Sequence, residues 1–148
     1  MSDDEKEDKK PEPVNWESIA KYKAAELDNY IKRNKDSISN AYTDGRQNVI
    51  LSIIPFGDNI DEAIRVATKS VNDPNDAAVL AGLEVLGRKF TALIEGLGVE
   101  IIPVKKGDQF DPYIHSSITE GTGTKIVEVY QKGYKFAGRI IRPATVQI

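Results

Sequence analysis

Between Trp16 and about Val71, apolar residues recur along one narrow stripe: Leu27, Ile31, Ile38, Tyr42, Val49, Ile53, Phe56, Ile60, Ile64, Ala67 and Val71. Lys35 and Arg46 fall on the same line as polar interruptions. With those two counted, the stripe advances by about 3.67 residues per step, closer to an eleven-residue repeat than to a heptad. The spacing predicts a long, nearly straight helix. Its flanks carry Lys23, Glu26, Asp28, Lys32, Arg33, Asp36 and Asp44. A seam this thin cannot form a globular core, and on a polar helix it implies a second helix as cover. Two residues oppose an unbroken helix. Gly45 weakens the middle by about 1 kcal/mol relative to alanine. Pro55 lacks a backbone donor and clashes with the preceding turn, costing about 3 kcal/mol in a helix interior. The long helix is therefore expected to end or kink near Ile54, and a more hydrophobic one to run from about 55 to 71.

The stretch Asn72 to Asp76 reads as a turn and a helix start, with Asp73 or Asn75 as the cap. From about 76 to 97, Val79, Leu80, Leu83, Leu86, Phe90, Leu93, Ile94 and Leu97 make a wide apolar face. Gly82 and Gly87 lie within this helix, where a glycine pair suggests close approach by a neighbouring backbone. Gly96 or Gly98 ends it. Two broad-faced helices would leave apolar surface open in one chain, and two chains together would make a four-helix bundle.

Past Gly98 the period changes. Val99 to Val104 and Lys125 to Gln131 read as strands, and Arg139 to Ile148 closes the chain after Gly133 and Gly138. Turns are expected at Lys106–Asp108, within Phe110–His115 and at Glu120–Gly123. Short strands with glycine turns predict a small antiparallel β-domain. The expected organisation is α+β: a charged, disordered tail over residues 1–14, a helical region over 15–98 and a β-domain over 99–148. The tail has almost no apolar content to offset the entropy of ordering.

Composition narrows the function classes. The chain has 148 residues, a formal net charge of −3 and mixed signs along most of its length. That gives no basic field for nucleic acid and no polybasic patch for a membrane. There is no cysteine and one histidine, His115, which removes thiolate chemistry and cysteine- or histidine-rich metal sites. No apolar run is long enough to span a bilayer, and the charged N-terminus resembles no targeting peptide, so the expected location is the cytoplasm.

Candidate chemistry is sparse. His115 lies near Asp111, Ser116 and Ser117, but residues so close in one turn rarely converge on one reacting atom. A histidine bracing the Phe110–Pro112 turn is the better reading. Asp58, Asp61 and Glu62 read as a solvated helix face rather than a metal site. Arg139 and Arg142, three apart on a strand, are expected on opposite faces. No phosphate-binding loop is present.

Several segments together resemble the GrpE family. The block from Val129 to Val146, with Gly133-Tyr-Lys-Phe-Ala-Gly-Arg-Ile-Ile-Arg-Pro-Ala144 at its centre, is similar to that family's signature. Phe110-Asp-Pro-Tyr-Ile-His115 is similar to its "DP..H" element. Ala25–Arg33, Ile53–Ile60 and Ala81–Glu84 resemble its helical segments. The resemblance implies a homodimer with a paired long helix, a four-helix bundle and a β-wing. It implies a non-enzymatic, cofactor-free exchange factor that binds the nucleotide-binding domain of a DnaK-type chaperone and accelerates ADP release. Such a protein supports protein folding and the heat-shock response. Positions matching the wing contacts are Tyr130, Arg139, Thr145 and Ile148. Phe56, Ile60, Ile64, Gly82, Leu83, Leu86 and Phe90 belong to the bundle. The helix before the bundle is short for the family, and Gly57 is expected to loosen the first turn of the next. A coiled-coil dimeric adaptor without exchange activity shares the same physical features and is the alternative.

Overall fold

A computed structural model describes residues 13–119 and 123–148. It contains α1 (Trp16–Lys69), α2 (Pro74–Gly96), β1 (Val99–Ile102), β2 (His115–Ser117), β3 (Glu128–Gln131), β4 (Gly133–Phe136), β5 (Arg139–Arg142) and β6 (Ala144–Gln147). The α+β reading holds. The expected tail lies outside the described residues except for Pro13 and Val14, and the turn expected at Glu120–Gly123 lies outside them except for Gly123.

The chain divides into two compact units, one ending at Ala41 and one beginning at Tyr42. In the first, every described residue is exposed, the seam residues Leu27 (57%) and Ile31 (55%) included. Its structure is one helix with local support: the Asn15 side chain accepts from Ser18 N–H, and Lys21–Glu17 and Lys23–Glu26 pair along the surface. The second unit holds the core.

The helix end expected near Ile54 does not occur. α1 continues through Pro55 to Lys69. Around the proline, Ile50, Ile54, Gly57 and Ile60 are buried, while Pro55 itself faces outward. Burying one isoleucine is worth about 1.5–3 kcal/mol, so three of them exceed the roughly 3 kcal/mol cost of an interior proline. The buried positions run one residue ahead of the seam: Ile50 and Ile54 are covered, while Val49 is exposed and Ile53 only half-buried. Seam and buried face meet at Ile60.

Asp73 is the cap of α2, its carboxylate accepting from Asn75 N–H (2.7 Å) and Asp76 N–H (3.0 Å), with Pro74 in the first helical turn. At the other end Gly98 takes φ +83° and turns the chain into β1. The left-handed conformation suits a residue without Cβ.

The β-domain is two three-stranded sheets, in the orders β1-β4-β5 and β2-β6-β3. Every pairing is antiparallel except β2 with β6, which is parallel. The strand expected from Lys125 begins at Glu128, and Lys125 itself forms only a bridge to Gln109. Ile50 and Ile54 of α1, Ile94 of α2, Val99 of β1 and Tyr134 and Phe136 of β4 form one core. Ile126, Ala144 and Val146 form a second, smaller one, with Val104, Phe110, Val129 and Ile148 packed on it. Gly133 is required at the junction: a Cβ there would lie 2.6 Å from Ala144 N and 2.9 Å from Ile102 Cδ1.

Candidate functional site

The wing is fastened to α1 by side chains the sequence disguised. Arg46, an interruption of the seam, donates to the Leu97 carbonyl at the end of α2 (2.8 Å), with its guanidinium 5.1 Å from the Phe136 ring centre. One cation therefore satisfies an orphan helix carbonyl and stacks on the sheet. Asp58 and Asp61, expected on a solvated face, are both engaged. Arg142 forks onto Asp58 through Nη1 (2.5 Å) and Nη2 (2.7 Å), and Lys132 pairs with Asp61 at 2.8 Å. Glu62 pairs with Arg65 on the same helix. Arg142 also lies 5.0 Å over the Tyr134 ring. Burial pushes the Tyr134 phenol up to about 12, against the opposing influence of Arg142.

Two register shifts decide which way the candidate residues face. In β3, Val129 opposes Val146 and Gln131 opposes Thr145, leaving Tyr130 as the extra residue of a bulge. The bulge lets neighbours in sequence share a face. The Tyr130 hydroxyl donates to Gln147 Oε1 (3.1 Å), and Thr145 Oγ1 donates to Gln131 Oε1 (3.2 Å). Arg65 of α1 lies 6.0 Å from the Tyr130 ring. Tyr130 keeps 39% of its surface exposed, while Ala144 and Val146 turn inward to the small core. Ile148 packs half-buried on that core, and its N–H donates to Thr119 Oγ1 (3.4 Å).

The second shift lies in β5. Arg139 opposes Phe136, Ile140 opposes Lys135, and Arg142 opposes Tyr134. With Ile141 as the extra residue, Arg139 and Arg142 fall on the same side of the sheet, because the bulge cancels the alternation expected from their spacing. Their environments differ. Arg142 is held by Asp58, while Arg139 is exposed at the start of β5, just after the β4–β5 turn, with no ion pair among the described residues. The turn itself is Ala137 (φ 49°) and Gly138 (φ 76°), two left-handed residues in succession as in a type I′ hairpin. The structure thus places Tyr130 and Thr145 on the β2-β6-β3 sheet, Ile148 just past the end of β6 against the small core, and Arg139 on the other sheet.

Among the helical candidates, Ile60 is buried, Ile64, Leu83 and Phe90 are half-buried, and Phe56 and Leu86 are exposed. Gly57, expected to loosen a first turn, lies inside the continuous α1. It is the seat of Phe90, whose ring atoms would come within 2.1 Å of an added Cβ. Phe56 meets the same ring at a tilt of 57°, centroids 6.3 Å apart. Gly87 has Ile64 Cδ1 at 3.1 Å from such a Cβ, so what approaches it is a side chain rather than the neighbouring backbone the glycine pair suggested. Gly82 has nothing within 4 Å in this chain.

His115 braces its turn as expected. Its Nδ1 accepts from Asp111 N–H (3.1 Å), its own N–H donates to the Asp111 carbonyl (2.9 Å), and Asp111 Oδ1 accepts from Tyr113 N–H. Phe110 lies 5.9 Å from the imidazole, and the described residues contain no acidic or histidine cluster able to hold a metal. No helix among them is long and apolar enough to cross a membrane.

Two helices packed through Gly57 and Gly87, carrying a two-sheet β-domain on an ion-paired face of the first, define the class: a helix-mounted β-wing protein. Comparison with known proteins makes it particular. The GrpE family profile matches residues 2–148. The chain is 32% identical over 130 residues to Protein GrpE of Methanosarcina barkeri, covering 84% of this chain and 61% of that one. It is 34% identical over 129 residues to Protein GrpE of Bacillus velezensis, with 84% and 65% covered. With Protein GrpE of Caldanaerobacter subterraneus the figures are 31% over 145 residues, 95% and 68%. The chain belongs to the GrpE family. It spans about three-fifths of the length of the Methanosarcina protein.

Proposed function

We propose that this chain is a nucleotide exchange factor and co-chaperone, acting as a homodimer in the cytoplasm on the nucleotide-binding domain of a DnaK-type chaperone. The family match along residues 2–148, which takes in every strand of the wing, carries this reading. The exposed seam on α1 supports the dimer: a second copy is the cover that Leu27, Ile31, Ile38 and Tyr42 lack within one chain. Phe56, Leu86 and Leu93, left open where α1 packs on α2, supply apolar surface for a bundle between two chains, with Ile60, Ile64, Gly82, Leu83 and Phe90 beneath or beside them.

An exchange factor works by linkage, binding the open, ADP-poor form of its partner more tightly than the closed one. A thousandfold faster release needs about 4 kcal/mol of differential stabilisation. A small apolar patch and a few charge-assisted hydrogen bonds suffice for that. Tyr130, Thr145 and Ile148 supply the packing and Arg139 the directed polar contact. The deciding measurement is release of a fluorescent ADP analogue from a purified DnaK-type chaperone, with and without this protein. Strong acceleration at substoichiometric amounts is expected. No acceleration with a partner from the same source would put the adaptor reading first. Arg139→Ala is expected to slow release about tenfold at limiting concentration, roughly 1.4 kcal/mol, without changing the circular dichroism of the wing.

A further inference from the structure

We propose that Asp58 is a positioning residue, the α1 carboxylate whose paired donors from both sheets fix the wing's orientation on the helix; the functional half of this proposal rests on the exchange reading above. The side chains of Asp58 and Arg142 are only 18% and 20% exposed, and the donors to this carboxylate, Arg142 and Gln131, both belong to the wing. Arg142 of β5 donates twice. Gln131 of β3 donates its amide at 3.4 Å, and the same amide's oxygen accepts from Thr145 of β6. β5 belongs to one sheet, β3 and β6 to the other. One helical side chain therefore holds both sheets.

Arg142 is fixed a second time within the wing. Its Nε and Nη2 donate to the Lys132 carbonyl (3.2 and 2.8 Å), in the link between β3 and β4. Lys132 then pairs with Asp61, about one turn further along α1. Exposed ion pairs contribute little to stability, but a planar fork on a carboxylate, largely withdrawn from water, sets a geometry that a lone ammonium does not. Strand β5 also carries Arg139, and β3 and β6 carry Tyr130 and Thr145, so a rotation of the wing about α1 would displace all three together. A wing that levers a partner open must not swivel on its mount.

The test uses the full-length protein and two readouts. Asp58→Asn keeps the shape of the side chain and removes its charge. At saturating concentration it is expected to lower the maximal rate of ADP-analogue release about tenfold, with the half-saturating concentration changed by less than about threefold. Residual dipolar couplings of wing amides are expected to stop fitting a single orientation with the amides of residues 42–96. Arg142→Lys, which keeps the charge without the fork, should fall between the Asp58→Asn variant and wild type in both readouts, and it carries the same test if the first variant fails to fold. Unchanged couplings and a wild-type maximum in a folded variant would overturn the proposal. A purely structural contact would lower the melting temperature and leave both readouts alone. If the wild-type protein itself does not accelerate release, the exchange reading fails, and the couplings alone decide whether Asp58 fixes the wing.

Discussion

The two halves of α1 carry the same kind of residue pattern and meet opposite fates. From Trp16 to Ala41 the helix has leucine and isoleucine at seam spacing, and all of them are exposed. From Tyr42 to Lys69 the seam continues, but the residues withdrawn from water are chiefly one position ahead of it, against α2 and the wing. A helix presents several faces, and periodicity reports which are apolar without saying which will be covered by its own chain. The first half is stabilised within one chain by helix propensity and surface pairs worth a few tenths of a kcal/mol each. The second has core packing.

That difference is best broken by paired substitutions. Ile54→Ala, in the core of the second unit, is expected to cost about 2–5 kcal/mol in urea denaturation followed through the wing tyrosines. Ile38→Ala, 65% exposed, is expected to change the same transition by no more than about 0.5 kcal/mol. Its effect should instead appear in the concentration dependence of helix melting, where a covering second chain is removed by dilution. Equal costs for both variants in the wing transition would erase the distinction between the halves.

The next effect in size isolates the wing. The Tyr134 phenol is raised from 10.0 to about 12, chiefly by burial, so the folded state holds its proton more tightly than the unfolded chain does. The associated stability is complete below pH 10 and is lost as the pH rises through 12, on the order of 3 kcal/mol. Phenolate absorbance should show one late-titrating tyrosine. Tyr134→Phe should flatten the stability profile between pH 10 and 12, and a profile as steep as wild type would assign the alkaline loss to another group.

The smallest effect is a gain. Ala137 holds φ 49°, a conformation that costs an ordinary L-residue about 1–2 kcal/mol. Ala137→Asn would place Asn-Gly in the hairpin turn and is expected to stabilise the wing by about 0.5–1 kcal/mol. Thermal denaturation should show the gain in the wing and none in the signal from residues 16–41.

Legibility in the sequence followed the range of the cause. The Asp73 cap, the turn at Gly98 and the His115 brace are local: neighbouring residues narrow the first to Asp73 or Asn75 and the second to Gly96 or Gly98, and they point to the third directly. Arg46 was visible only as a flaw in the seam, because its partners, the Leu97 carbonyl and Phe136, are remote in the chain. That flaw was the one signal available: a cation on an apolar line needs a partner from somewhere. Asp58 and Asp61 looked solvated for the same reason of range, since Arg142 and Lys132 lie 84 and 71 residues away. Strand alternation puts Arg139 and Arg142 on opposite faces only in a regular ladder, and a one-residue bulge reverses it.

By itself the sequence determined that the protein is α+β, that its helices precede its strands, that an apolar seam runs along the first helix, and that the C-terminal block carries GrpE-family character. Those properties depend on residue type at short spacing, which the chain states directly. Only the tertiary structure decided that α1 passes through Pro55, that Gly57 seats Phe90, and that one aspartate engages both sheets. Each of these is a balance between a local cost and burial or pairing supplied from elsewhere in the chain, and no window of neighbouring residues contains both sides of that balance.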